Sequence, residues 1–338
     1  MKFQHVRLRA FGVEEPQECF TSDHIEEQLS ATYERLRLPE GRLELQTGIK
    51  RRGFWPRGTR PSTIATQAAE RALKDFPREE IGLLIHASVC RDFLEPASAS
   101  VVHRNLRLSP TCQLFDLSNA CLGVVSATLM ASQLIESGVI KAALIVSGEN
   151  SGPLLLKTLE ILKSDLTLTR QTIKKYIASL TIGSAGVAWL LTHESLAPNA
   201  AKILGGVSRT DSSAVELCQG SGNLEDLVME TDSEELMIRG VRLAQQTWVD
   251  YVEAFGRPQK IIPHQVGSTH RRGFLEGLKA TDIPDFVTFE QYGNTGSAAL
   301  PLTYIKAIES GFFRRGDHVA LTGIGSGLVS TMLALEAP

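Results

Sequence analysis

The sequence predicts an α/β fold made of two similar halves, on three observations. Residues 114–149 (LFDLSNACLGVVSATLMASQLIESGVIKAALIVSGE) read as strand, sharp turn, apolar helix, glycine stop and buried strand. The run Ile135-Glu136-Ser137-Gly138 returns as Ile308-Glu309-Ser310-Gly311, 173 residues later (308 minus 135), with the same order of elements around it. Strands alternate with helices along the rest of the chain, the pattern of a mainly parallel sheet covered on both faces.

Taken in order, residues 3–10 alternate as a strand and residues 22–36 as a helix, with Ser22 as its cap and Asp23 and Glu26 in its first turn. Lys50, Arg51 and Arg52 form a basic triplet that suits either a solvated loop or an anionic ligand. Residues 62–75 predict a helix with an alanine face, and residues 81–87 an apolar strand. The strand leads into a loop, SVCRDFLEPASAS, that carries Asp92 and Glu95, and residues 101–106 follow as a short helix. Cys121 opens the central helix, where unpaired N–H groups and the helix dipole favour thiolate over thiol. The bland alternative is a small core residue in an apolar helix. Residues 151–180 contain two amphipathic runs, 157–162 and 171–179, and read as an insertion that is either a lid over a tunnel or a surface cap. Residues 180–191 return to apolar strand. In the second half, residues 260–263 form a strand that ends in His264, and residues 319–322 one that runs into Gly323-Ile324-Gly325-Ser326-Gly327. The 173-residue offset carries Cys121 onto Asn294.

Composition narrows the classes of function. The 338 residues are 43% hydrophobic and 22% charged, ordinary for a globular chain able to bury a large core. A net charge of −3 gives no field that would favour nucleic acid or an anionic membrane. The five cysteines show no CxxC or CxxH spacing, which argues against a disulfide framework and a zinc site. The N-terminus has no apolar run of a signal peptide, and no stretch reaches the ~18 apolar residues of a membrane span. The expected location is a reducing cytoplasm.

Cys121, His264 and Asn294 form a chemical set. A cysteine supplies a nucleophile, a histidine at a strand's C-terminal end exchanges a proton, and an asparagine amide donates to an oxygen that becomes negative. The glycine string lacks the Lys-Ser/Thr of a P-loop and the spacing of a dinucleotide fingerprint. It reads instead as a close turn aiming the amide of Ser326 at the centre, where with the amide of Cys121 it makes an oxyanion hole for a thioester carbonyl.

These residues sit in the motifs TGIKRR (47–52), SNACLG (118–123), HQVG (264–267), YGNTGSAALP (292–301) and GIGSGL (323–328). With them the chain resembles the thiolase superfamily, in its ketoacyl synthase III branch, along essentially its whole length. The resemblance implies pseudo-twofold halves in a layered α-β-α-β-α arrangement, residues 1–195 carrying the cysteine and 196–338 the histidine and asparagine. It also implies a homodimer and catalytic roles for Cys121, His264 and Asn294. The loop SVCRDFLEPASASVV (88–102) is similar to that of the olefin-biosynthesis thiolases, which join two fatty acyl-CoA molecules without decarboxylation. That similarity implies that Glu95, reaching into the partner subunit, removes the α-proton that a plain acyl-CoA cannot shed as CO₂. A carboxylate in an apolar tunnel, its pKa raised by desolvation, suits such a base.

Two departures qualify the resemblance. Gly267 stands where decarboxylating synthases carry a second asparagine, which weakens a decarboxylating reading. Gln46 and Thr269 replace arginines that serve CoA phosphates, so Arg51, Arg271 and Arg272 are the alternatives nearby. The expected activity is non-decarboxylative Claisen condensation of two acyl-CoA molecules to a 2-alkyl-3-ketoacid, with CoA thioesters as substrates and no cofactor or metal. The rivals are a decarboxylating synthase using malonyl-carrier protein, a non-catalytic binding subunit, and acyl transfer to an alcohol or amine. An acyl carrier protein or downstream pathway enzymes are the further partners expected.

Overall fold

The computed structural model describes residues 1–221 and 227–338. Among them, nine strands form one sheet in the order Lys260–Pro263, His318–Gly325, Val329–Glu336, Ala201–Thr210, Val6–Glu14, Ala185–His193, Ala142–Glu149, Ile81–His86, Gln113–Asp116. The halves meet where Arg7 and Leu8 pair with Lys202 and Ala201. In each half parallel pairs lie outermost (Ile81–His86 with Gln113–Asp116 and Ala142–Glu149, Lys260–Pro263 with His318–Gly325) and antiparallel pairs lie towards the join. Parallel strands need helical crossovers, and these put apolar side chains on both faces of the sheet.

Three apolar cores fix the layers. The central one holds Val125, Leu129 and Ile135 of the helix Gly123–Glu136, and Leu302 and Ile305 of the helix Ala299–Glu309. One outer core packs the helices Pro61–Ala72 and Ser98–Leu106 on the first half of the sheet. The other packs the helices Ser233–Phe255 and Ser268–Gly277 on the second half. The result is α-β-α-β-α, with the two central helices related by the pseudo-twofold. Both end as their shared motif predicts: Gly138 at φ 74° and Gly311 at φ 71° take the left-handed turn that other residues resist. At their starts the repeat closes on itself. The amide of Val124 donates to Ser297 Oγ at 2.9 Å, across a separation of 173 residues.

The N-terminal elements differ from expectation in detail. Residues 22–36 are two helices, Ser22–Gln28 and Ser30–Leu36, broken at Leu29. Thr21 rather than Ser22 is the cap: its hydroxyl accepts from the amide of His24 at 3.1 Å. Ser22 is drawn inside, where it donates to the Ile49 carbonyl and accepts from Arg52 at 3.0 Å. Arg52 is fully buried, also donating to the Leu180 carbonyl at 2.9 Å, so this member of the basic triplet is neither solvated nor free for a ligand. Lys50 and Arg51 hold Glu290 and Gln291 at 3.1 and 2.7 Å. The triplet thus clamps the N-terminal region onto the segment that leads to Asn294.

Residues 151–180 form the helix Gly152–Ser164 and the short 3-10 turns Thr172–Tyr176 and Ala178–Leu180. Leu155, Leu159 and Leu162 pack with Ile25, Leu29 and Tyr33 in a fourth apolar cluster. The insertion is therefore a cap, and its far edge reaches the cavity described below. No helix among the described residues is long and apolar enough to cross a membrane.

Candidate active site

Cys121 lies in the 3-10 turn Ala120–Leu122, one turn ahead of the helix Gly123–Glu136. Ala120 before it is held at φ 46°, a conformation costly for a residue with a Cβ and one that recurs at functional turns. The turn is braced by Leu122 N to the Asn119 carbonyl at 3.0 Å and by Asn119 Nδ2 to Ser126 Oγ at 2.7 Å. A Cβ on Gly323 would come within 2.6 Å of the Leu122 side chain, too close to fit unshifted, and one on Gly325 within 3.3 Å, a tight contact. The glycine string therefore lies against the cysteine turn, and it ends in a hairpin that carries Ser326.

His264 follows the strand Lys260–Pro263 and is fixed by its amide on the Thr322 carbonyl at 2.8 Å. Both ring nitrogens are buried without a hydrogen-bond partner among the described residues. Asn294 is held by its amide on the Thr181 carbonyl at 2.9 Å, while its carbonyl takes the Gly183 amide at 2.9 Å. Its side-chain Oδ1 accepts from Gly296 N at 3.1 Å, which leaves the NH₂ group as the free donor. Gln265 supports the approach to Asn294, its Oε1 accepting from Thr288 and Phe289 amides at 2.7 and 3.1 Å.

Cys121, His264, Asn294 and Ser326 line one cavity of about 760 Å³, within the range of small-molecule sites. Its walls are mostly apolar: Ile177 and Ala178 from the cap, Met229 from the hairpin strand Val228–Thr231, Leu236 and Met237 from the helix Ser233–Phe255, and Val266. Leu122 and Val124, beside the cysteine, are buried in the central core and do not line the cavity.

The electrostatics reverse one expectation. Burial pushes the Cys121 thiol up to about 12, with the neighbouring Cys218 and Glu149 adding to the rise. Desolvation outweighs the helix terminus here. A rise from 9.0 to about 12 corresponds to roughly 4 kcal/mol, against ~1 kcal/mol for a dipole. Burial, with His270 nearby, lowers His264 to about 3, so its imidazole is neutral at pH 7.

The other sequence candidates lie elsewhere. Glu95 is exposed on its loop beside Leu94, which is 97% exposed, and it does not line this chain's own cavity. None of the three arginines proposed for phosphate lines the cavity either. Arg51 is engaged with Gln291, and Arg271 makes a bidentate pair with Asp285 at 2.5 Å on both arms. Arg272 is exposed.

Three cavity or near-cavity residues were not singled out from the sequence. Glu149 is 2% exposed and takes the amides of Val89 at 2.9 Å, Cys90 at 3.2 Å and Ser297 at 3.0 Å, tying the Glu95 loop to the helix that follows Asn294. Burial raises its pKa and those amides oppose the rise. Its signal was an acidic residue closing an otherwise apolar strand. Cys218 and His270 both line the cavity. Among the described residues no group of three or more His, Cys, Asp or Glu is arranged to hold a metal ion.

Gly267 has φ 149°, and a Cβ there would lie 2.8 Å from the Thr47 carbonyl oxygen. Gly267→Asn is therefore expected to lower the melting temperature measurably, by the ~1–3 kcal/mol of such strain, and to confer no malonyl-dependent turnover. A stable variant that decarboxylates malonyl thioesters would show that the backbone here does not set the donor.

Comparison with known proteins agrees with this architecture. Residues 115–155 match the family model of 3-oxoacyl-[acyl-carrier-protein] synthase III, and residues 258–337 match that of its C-terminal part. The chain is 36% identical to an acyl-CoA:acyl-CoA alkyltransferase of Xanthomonas campestris pv. campestris, covering 98% of each protein. It is 34% identical to one of Shewanella oneidensis, covering 99% of this chain and 100% of that one. A crystal structure of a Xanthomonas campestris OleA variant with bound lauric acid and lauroyl-CoA superposes with a TM-score of 0.93 at 35% identity, covering 99% of each chain. The chain belongs to the acyl-CoA:acyl-CoA alkyltransferase family of thiolase-fold acyltransferases.

Proposed function

We propose that this enzyme joins two fatty acyl-CoA molecules by a ping-pong, non-decarboxylative Claisen condensation, releasing a 2-alkyl-3-ketoacid. The observation that carries the reading is the convergence of Cys121, His264 and Asn294 on one apolar-walled cavity in which Gly267 replaces a second asparagine. The related alkyltransferases named above support it.

The first acyl-CoA delivers its thioester carbonyl to Cys121. In the resting site the thiol is protonated and His264 neutral, so His264 takes the Sγ proton only as the sulfur attacks and then passes it to the departing CoA sulfur. The carbonyl oxygen, negative in the tetrahedral intermediate, rests on the amides of Cys121 and Ser326. A second acyl-CoA then places its thioester oxygen on His264 and the NH₂ group of Asn294. Glu95 of the partner subunit in a homodimer removes the α-proton, and its exposed, outward position on this chain suits that arrangement. The resulting carbanion attacks the acyl-Cys121 carbonyl, the C–S bond to Cys121 breaks, the departing sulfur takes up the proton that Glu95 removed, and water cleaves the remaining CoA thioester. CoA thioesters are substrates, no resident cofactor takes part, and the reaction belongs to a long-chain hydrocarbon route in the cytoplasm.

The test supplies purified enzyme with one long saturated acyl-CoA and nothing else. Release of CoA with a β-keto acid, or the ketone formed from it, is the expected result. Product that forms only after malonyl-carrier protein is added would establish the decarboxylating alternative.

A further inference from the structure

Condensation leaves one task without an agent. The product still carries the CoA thioester whose oxygen lay on His264 and Asn294, and a water must be activated beside that carbon. His270 is placed for it. It lines the same cavity, in the first turn of the helix Ser268–Gly277, six residues beyond His264. Its ring lies nearly parallel to that of Phe274, with centroids 6.2 Å apart and planes 12° apart, which limits how it can turn. Nδ1 is buried with no hydrogen-bond partner among the described residues, while the residue as a whole is half-buried.

We propose that His270 is a further catalytic residue, the general base for hydrolysis of the condensed CoA thioester. This rests on the condensation proposed above. With its proton on Nδ1, His270 accepts a water proton at Nε2. The hydroxide oxygen bonds to the thioester carbon, whose oxygen is still held by His264 and Asn294. The C–S bond breaks, and the CoA sulfur takes the proton back from Nε2, leaving the free acid and CoA. Burial holds the imidazole of His270 neutral at pH 7. Cys121 is not required in this step, which is why a second basic group in the cavity has a use.

The experiment counts CoA. Wild-type enzyme given a single saturated acyl-CoA should release two CoA per carbon–carbon bond. His270→Asn should still acylate Cys121 and condense, but release one CoA per bond, accumulate the 2-alkyl-3-ketoacyl-CoA seen by mass spectrometry, and form acid ~10²-fold more slowly or worse. His270→Gln serves as the second variant, with the acyl-Cys121 adduct as proof of an intact site. Two CoA per bond and unchanged acid formation in either variant would overturn the assignment. So would loss of Cys121 acylation in both, since that places His270 in the first half-reaction. Failure of the wild-type enzyme to form any carbon–carbon bond would instead sink the condensation on which the proposal rests.

Discussion

Cys121→Ala is expected to abolish the covalent acyl adduct and to lower condensation by roughly 10⁴–10⁶-fold, since removal of a nucleophile leaves only binding and oxyanion contacts. The fold should survive. Alanine fits the turn, and among the described residues no side-chain hydrogen bond of Cys121 holds the helix in place. Mass spectrometry after acyl-CoA treatment reads the first effect and product analysis the second. The wild-type thiol carries a companion expectation with a definite sign. Its pKa is raised, so the thiolate fraction of the free enzyme should climb with pH through 9 and beyond. Alkylation of Cys121 by iodoacetamide should therefore keep accelerating across that range. A plateau by pH 7 would mean that the helix terminus, not burial, governs this sulfur.

Glu95→Gln is the second large effect. Acyl transfer to Cys121 needs no α-proton removal, so the adduct and the first CoA should appear normally. Condensation should fall by ~10²–10⁴-fold, the usual contribution of a general base. Co-expression separates action across the interface from action within one subunit. Glu95→Gln chains mixed with Cys121→Ala chains give dimers in which one site combines an intact sulfur from one protomer with an intact carboxylate from the other. Product formation should return in the mixture although each variant alone is inactive. No recovery would place Glu95 within its own subunit's site or outside the reaction. Solvent exposure of this carboxylate in the single chain, beside the fully presented Leu94, is what makes the crossed arrangement reasonable.

Much of this was legible in the chain because the information was local. Gly138 and Gly311 each stop a helix through their own backbone freedom, and the tetrapeptides ending in them expose the repeat. Cys121, His264 and Asn294 stood out because each ends an element instead of sitting inside one. What stayed hidden depends on contacts far apart in sequence. The bonds that Glu149 accepts span 60 residues to Val89 and 148 to Ser297, and no local pattern reports them. Arg52 reads as one of three basic residues, yet its bond to Leu180 crosses 128 residues and takes it into the core. The cysteine turn is local, but the acidity of its thiol is not, because burial raises it. A helix start is visible in sequence, whereas the depth of the surrounding cavity is a property of the assembled halves, and depth decides the sign. The engagement of Arg271 was hidden for a similar reason: Asp285, which pairs with it, lies 14 residues on, in a segment whose bridge to Ile261 no local pattern reports.

A labelled chase tests the central claim most directly. Enzyme first loaded with an unlabelled acyl group on Cys121, freed of excess thioester, is mixed with a carbon-13-labelled acyl-CoA in the absence of any malonyl donor. The expected product carries one unlabelled and one labelled chain, with the labelled chain supplying the carboxyl carbon. Release of the unlabelled group as simple fatty acid, with no mixed product, would contradict it.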